Sequence, residues 1–382
     1  VIPDTITQLG EGAFLECTGL ENVVIGDGII NWDAFSFTGS DKLKSIEFGD
    51  GITLVPREEF SNFINLESVL MGNSVQMLGE KDSYGYVSGG CFSGCTNLYN
   101  VKLSSSLETI GDDTFYNCSR LSTIEFPNSL KTIGSEAFSN CSSLNDIVLP
   151  ENMTDLGHSA FNGCVSLTEI ILPDSITEMG QSVFSNCTAL QQVKLSAGVT
   201  ILPDTSFYNC SSLETIVWND TLQSIAGSDD ANTKGTFEGC VSLETLQFPS
   251  NLKNIGFRAF KGCSGLKTID FPEGLENINK QAFVDCAALI SLKIPDSVQQ
   301  IGWSAFRGCG ALSDVDTGNG ITTDSLSAFY FQDSTSLQRV VLGDGIAEIP
   351  GDMFSNCSNL RDVTLSDNIT SIADGKIFYT GA

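Results

Sequence analysis

A phenylalanine returns about every 23 residues along this chain, and the same pattern of residue types returns around it. Three consecutive copies read NSLKTIGSEAFSNCSSLNDIVLP, ENMTDLGHSAFNGCVSLTEIILP and DSITEMGQSVFSNCTALQQVKLS. Sixteen copies align on the phenylalanines from Phe14 to Phe378. A unit this short cannot bury its own apolar face. It must pack against its neighbours, and a run of such units builds a solenoid with a continuous core. The unbroken repeat therefore predicts one elongated domain over residues 1–382 rather than two or three globular ones.

Charge narrows the range of partners. The chain carries 47 acidic and 19 basic residues, a net charge of −28. Nucleic acids and anionic membranes need clustered Lys and Arg, so neither is an expected partner. The acidity suits a long, open, soluble surface, with attraction of a cationic partner as the sharper alternative. No stretch has the roughly 18–20 apolar residues of a membrane span, so direct membrane insertion is not expected. The chain opens within a repeat at Val1-Ile2-Pro3 and stops at Gly381-Ala382 without polar capping repeats. The expectation is a piece of a longer protein, with any signal peptide and anchor outside it.

Within one copy each residue type has a task. In the copy around Phe138, Ile124 and Phe126 alternate with Thr123 and Glu125, the period-2 pattern of a strand with one face buried. Pro127 ends that strand. Leu130 and Ile133 point inward from a second extended piece, and Gly134 allows a turn. Ala137, Phe138 and Cys141 have the spacing of a single helical or 3₁₀ turn. Twelve of the 13 cysteines fall three residues after a marker phenylalanine, which makes them a stacked packing position rather than a disulfide framework. Phe63 and Ser334 occupy the same position in two copies that lack the thiol. Cys91 falls outside the pattern, in an insertion, and is the thiol expected to be reactive.

Catalytic and metal chemistry finds little support. The only histidine, His158, has no evident partner and reads as a surface residue. Zinc would need converging Cys pairs or histidines, and no cofactor or metal is expected. The Gly-Asp-Gly triplets at 26–28, 49–51 and 343–345 lack the carboxylates of a calcium loop and read as turns.

The combination of Ile133-Gly134, Ala137-Phe138, Cys141, Leu144, Ile147 and Leu149-Pro150 resembles the BspA-like leucine-rich repeats, and the resemblance covers nearly the whole chain. It implies a right-handed leucine-rich-repeat solenoid with a parallel β-sheet on one face and short strands, turns and 3₁₀ or helical turns on the others. It also implies an extracellular, non-enzymatic cell-surface protein of host-associated anaerobic bacteria or parasitic protists. Such a protein would be an adhesin or interaction module for a protein or glycan ligand on host or neighbouring cells. The family supplies no catalytic residues. The other readings are a passive stalk displaying another domain and the targeting part of a larger secreted enzyme.

Candidate binding residues come from the outward strand positions, one per copy. Val148, Ile171 and Val217 form an apolar stripe interrupted by Lys194. Strand preference alone would also place β-branched residues there. Two copies carry insertions between the glycine turn and the marker phenylalanine: one at 80–91, containing Tyr84 and Tyr86, and one at 226–235, containing Asp229 and Asp230. Their shared place in the repeat predicts two loops on one edge, ~29 Å apart and bracketing the stripe. The tyrosines would be rigid aromatic anchors.

Overall fold

A computed structural model describes residues 1–30, 32, 36–81, 87–229, 233–322, 331, 334–349, 351 and 353–373. The fold is a parallel-strand solenoid of leucine-rich-repeat type, and its contacts divide it into two compact units, Val1–Gly198 and Val199–Ala382.

Each copy contributes to two sheets. In the first unit the strands Asn22–Ile25, Ser45–Phe48, Ser68–Leu70 and Asn100–Lys102 pair in parallel as a first sheet. Farther along, Glu169–Ile171 pairs with Gln192–Lys194. The second extended piece of each copy forms its own six-stranded sheet, from Leu54–Val55 through Thr109–Ile110, Thr132–Ile133 and Asp155–Leu156 to Glu178–Met179. The second unit repeats the scheme. Ser291–Lys293, Asp314–Asp316, Arg339–Val341 and Asp362–Thr364 form a first sheet. Ile201–Leu202, Ser224–Ile225, Asn254–Ile255, Asn277–Ile278 and Gln300–Ile301 form a second. The side-chain alternation follows the expected pattern. In Glu169–Ile171 only the central Ile170 is buried.

The expected 3₁₀ or helical turn at the marker phenylalanine is not present; no described residue is helical. The backbone explains why. Glu136 and Asn140 have φ of 54° and 60°, which interrupts any right-handed turn. Their amides face the next copy instead: Glu136, Phe138 and Asn140 donate to the carbonyls of His158, Ala160 and Asn162 at 2.8, 2.8 and 2.7 Å. The turn layer is thus a third ladder between copies, and only the alternate amides of Ala137, Ser139 and Cys141 bond within the turn, to the carbonyls of Gly134, Glu136 and Phe138.

Two side-chain stacks fill the space between the layers. Phe138 stacks on Phe115 and on Phe161 with ring centroids 5.2 Å apart in both cases. Phe237, Phe260 and Phe283 stack at the same 5.2 Å spacing in the second unit. The thiols do more than fill volume. Cys141 Sγ donates to the Phe115 carbonyl at 3.1 Å, which also accepts the Cys118 amide at 3.1 Å. Both lone pairs of a buried carbonyl are thereby used. Cys95, Cys164 and Cys187 repeat the bond, as do Cys240 and Cys263. Ser334 is buried at the same position, and its hydroxyl has no partner among the described residues. In the central copies of the first unit the glycines Gly111, Gly134, Gly157 and Gly180 are required by close approach rather than by an unusual φ. A methyl on Gly157 would lie 2.4 Å from both the Gly134 carbonyl carbon and the Ser135 nitrogen.

Two stability measurements follow. Phe161→Ala removes a fully buried ring and should cost about 3–5 kcal/mol in denaturant unfolding. Ser334→Cys should restore the missing ladder bond and add about 1 kcal/mol, seen as a higher melting temperature.

Candidate functional site

The strand face of the first unit carries the exposed chemistry. Because successive residues alternate in direction, the position after each buried strand residue points outward. There Val148 is 78% exposed and Ile171 51%, the latter in register with exposed Lys194. Beside them Asp146, Glu169 and Gln192 occupy the other outward position of the same copies, the first two exposed and Gln192 half-buried. The result is a small apolar pair with an acidic and amide border, smaller than the few hundred Å² of a typical interaction patch. Val217 belongs to the second unit and is 40% exposed there.

Charges on this face are arranged in two ways. At the edge of the strands, Lys44–Glu21 and Lys267–Glu244 close between adjacent copies at 2.9 and 2.7 Å. In the central outward column, the exposed Lys102, Glu125, Asp270 and Lys293 form no ion pair among the described residues. Charges left in water in this way remain available to a ligand.

The insertions leave from the second sheet. Glu80–Lys81 pairs antiparallel with Val87–Ser88. The base of that hairpin docks on the next copy, where the Asp112 amide donates to the Val87 carbonyl at 2.9 Å. Tyr84, Tyr86 and Asp230 lie outside the described residues. In the second unit Asp229 is tied to Lys280 at 3.0 Å, and the Ser228 amide donates to Asp204 at 3.3 Å. Next to the hairpin base runs an open groove of about 580 Å³, floored by Gly111, Gly134, Gly157 and Gly180. Asp112 and His158 stand on its rim, where each binds the following copy: Asp112 Oδ1 accepts the Ser135 amide at 2.6 Å and His158 Nδ1 accepts the Gln181 amide at 3.1 Å. Burial raises the Asp112 carboxyl above the ordinary carboxylate range, opposed by the Ser135 amide and by His158.

The carboxylates of the Gly-Asp-Gly turns are used in the same manner. Asp27 Oδ1 accepts the Asp50 amide at 2.7 Å, and Asp50 Oδ1 accepts the Asn73 amide at 2.6 Å. Among the described residues no group of three His, Cys, Asp or Glu side chains is placed to hold a metal ion.

The expectation of a reactive Cys91 is overturned. Its side chain is fully buried, its Sγ donates to the Val55 carbonyl at 3.5 Å, and burial pushes its pKa up. The insertion before it does not open the core, since the chain has returned to the repeat by Gly89. Burial likewise pushes Cys95, Cys141, Cys187 and Cys309 up to about 12. Cys17, beneath the first turn, is the one thiol that is not fully buried.

The sequence matches the BspA type leucine rich repeat region over residues 1–82, 81–191, 109–229, 231–330 and 283–380. The chain belongs to this family. It resembles a leucine-rich repeat protein from Bacteroides ovatus, with 23% identity over 98% of this chain and 88% of that one and a TM-score of 0.59. This likeness shows the fold alone. A leucine rich cell surface protein from Faecalibacterium prausnitzii is 23% identical over 90% of this chain and 83% of that one, with a TM-score of 0.46. The pneumococcal vaccine antigen PcpA is 18% identical over 93% and 89%, also at 0.46. No curated protein matches the chain.

Two experiments probe the thiols. A thiol reagent applied to native protein should modify Cys17 first and leave the others, Cys91 included, unlabelled until unfolding. The buried thiols ionise near 9.0 when exposed and near 12 when folded. Their raised folded pKa means the unfolded chain loses protons first as pH rises. Stability should therefore be complete below about pH 9 and fall steadily toward pH 12, read as a declining urea midpoint.

Proposed function

We propose that this chain is a non-enzymatic, cell-surface binding module that engages a protein or glycan ligand on host or neighbouring cells through its strand face. The observation that carries the reading is the exposed pair Val148 and Ile171, followed in the stack by Lys194. A leucine-rich solenoid has no structural need for large apolar groups at outward strand positions, where Lys102 and Glu125 serve equally well. Membership of the BspA-type family supports surface display and a role in adhesion. The apolar pair is too small to carry an interface alone, so the partner would span several copies and use the acidic and amide border. A footprint of about 800 Å² per partner needs such breadth. Val217, and Tyr84 and Tyr86 of the first insertion, are the further candidates for contact.

The test is binding to host-cell extract or whole cells. Val148→Ser with Ile171→Ser should leave the melting temperature nearly unchanged and weaken binding about tenfold or more, the size expected for losing one or two buried aliphatic groups. Val217→Ser and deletion of residues 81–89 assign any contribution from the other candidates. Unchanged binding in all three variants overturns the strand-face reading.

A further inference from the structure

We propose that the first sheet of the unit Val1–Gly198 contains a saccharide-binding cleft beside Tyr99. The cleft lies where parallel pairing between copies is interrupted. After Asn100–Lys102 the next first-sheet segment forms no strand, and pairing resumes only as an isolated bridge between Thr123 and Asp146. The same two copies remain joined elsewhere. Thr109–Ile110 pairs with Thr132–Ile133 on the second sheet, and Phe92 and Phe115 stack at 5.5 Å. The opening is therefore local. It cannot admit an extra strand, which would need flanking strands twice ~4.8 Å apart.

The cleft holds about 490 Å³ between Asn100–Leu103 on one side and Thr123–Pro127 on the other, with Asn73 and Ser105 at one end. Its floor is apolar, formed by Leu103 and Ile124, 8% and 5% exposed. Tyr99, 47% exposed, forms part of the wall. Arg120 lies 5.3 Å from its ring centroid and is held by Asn97 Oδ1 at 3.3 Å. The ring is thus braced from within the protein, which lowers the entropy lost when a ligand packs on it.

The rim supplies both donors and acceptors. Ser105 Oγ donates to Asn73 Oδ1 at 3.2 Å and Asn100 Nδ2 donates to Ser68 Oγ at 2.9 Å. These bonds orient both amides while leaving the Asn73 amide nitrogen and the Asn100 carbonyl oxygen without a protein partner among the described residues. Lys102 and Glu125, without an ion-pair partner among the described residues, add a cation and a carboxylate on opposite sides. A pyranose matches this arrangement, with C–H groups on one face for the ring and apolar floor and hydroxyls around the edge for amide, ammonium and carboxylate. An apolar ligand would need deeper enclosure than an open cleft provides. The inference goes beyond the strand-face reading, because neither Val148 nor Ile171 lines the cleft.

The test uses the full chain and five free sugars, namely galactose, mannose, fucose, N-acetylglucosamine and N-acetylneuraminic acid, each at about 10 mM, a range suited to weak sites. Saturation-transfer NMR should detect at least one of them. Tyr99→Ala should weaken that binding about tenfold or more, while Tyr99→Phe, which keeps the ring, retains it. The Val148→Ser and Ile171→Ser double variant should bind the sugar as the parent does, which separates failure of the strand-face reading from failure of this one. Unchanged melting curves for the exposed Tyr99 variants confirm that folding is not the cause. No transfer from any of the five sugars overturns the proposal, as does transfer that persists unchanged in both Tyr99→Ala and Asn73→Ala.

Discussion

Each copy of this repeat depends on the next copy sitting one strand spacing away. Its turn-layer amides donate to the neighbour's carbonyls, as Phe138 does to Ala160 at 2.8 Å. Its thiol reaches the carbonyl of an adjacent copy, and its phenylalanine ring lies against the rings on either side. None of these groups could be satisfied within a single copy. Leaving buried polar groups unpaired costs about 1–3 kcal/mol each, so the units are stable only in a stack. The glycine column follows from the same spacing, since a side chain on Gly157 would strike the backbone of the copy before it.

This dependence also explains where freedom remains. The second sheet, the turn layer and the phenylalanine stack run on through the copies around Ile124 and Ile147, while the first sheet there is reduced to a single bridge. Three joined layers hold the copies in place, so the fourth can open without unfolding the stack. Val148 and the Tyr99 cleft lie on or beside this relaxed stretch, and Ile171 belongs to the paired strand that follows it. Outward strand residues are under no packing constraint, and binding chemistry can vary there while the inward positions stay fixed.

Much of the fold was legible in the sequence because it rests on periodicity. The phase of Ile133, Phe138, Cys141 and Leu144 placed the core, and the alternation around Ile124 and Ile170 placed the outward face. The reading of the marker segment as a helical turn failed because spacing alone does not reveal φ. Glu136 adopts a positive value that its residue type does not announce, whereas Asn140 sits where most copies carry Asn or Gly, residues that favour that region, and the hydrogen bonds that accompany both come from the next copy. Cys91 was misjudged for a related reason. Its place beside an insertion suggested exposure, but the hairpin at Glu80–Lys81 and Val87–Ser88 returns the chain to the repeat before the thiol, beneath Val55.

The repeat length, the solenoid, the family and the inward-facing side chains all follow from local pattern and the need to bury apolar surface, and so could be read from the residues. The outward positions Val148, Ile171 and Lys194 were readable on the same ground. It took the packing of one copy on the next to reveal that the Gly-Asp-Gly carboxylates and His158 are used as acceptors between copies. The same packing decided that the second extended piece forms a sheet of its own and that the first sheet is interrupted beside Tyr99. Those outcomes depend on how well one copy pairs with the next in space, a property of neighbouring backbones about 23 residues apart that no single copy encodes.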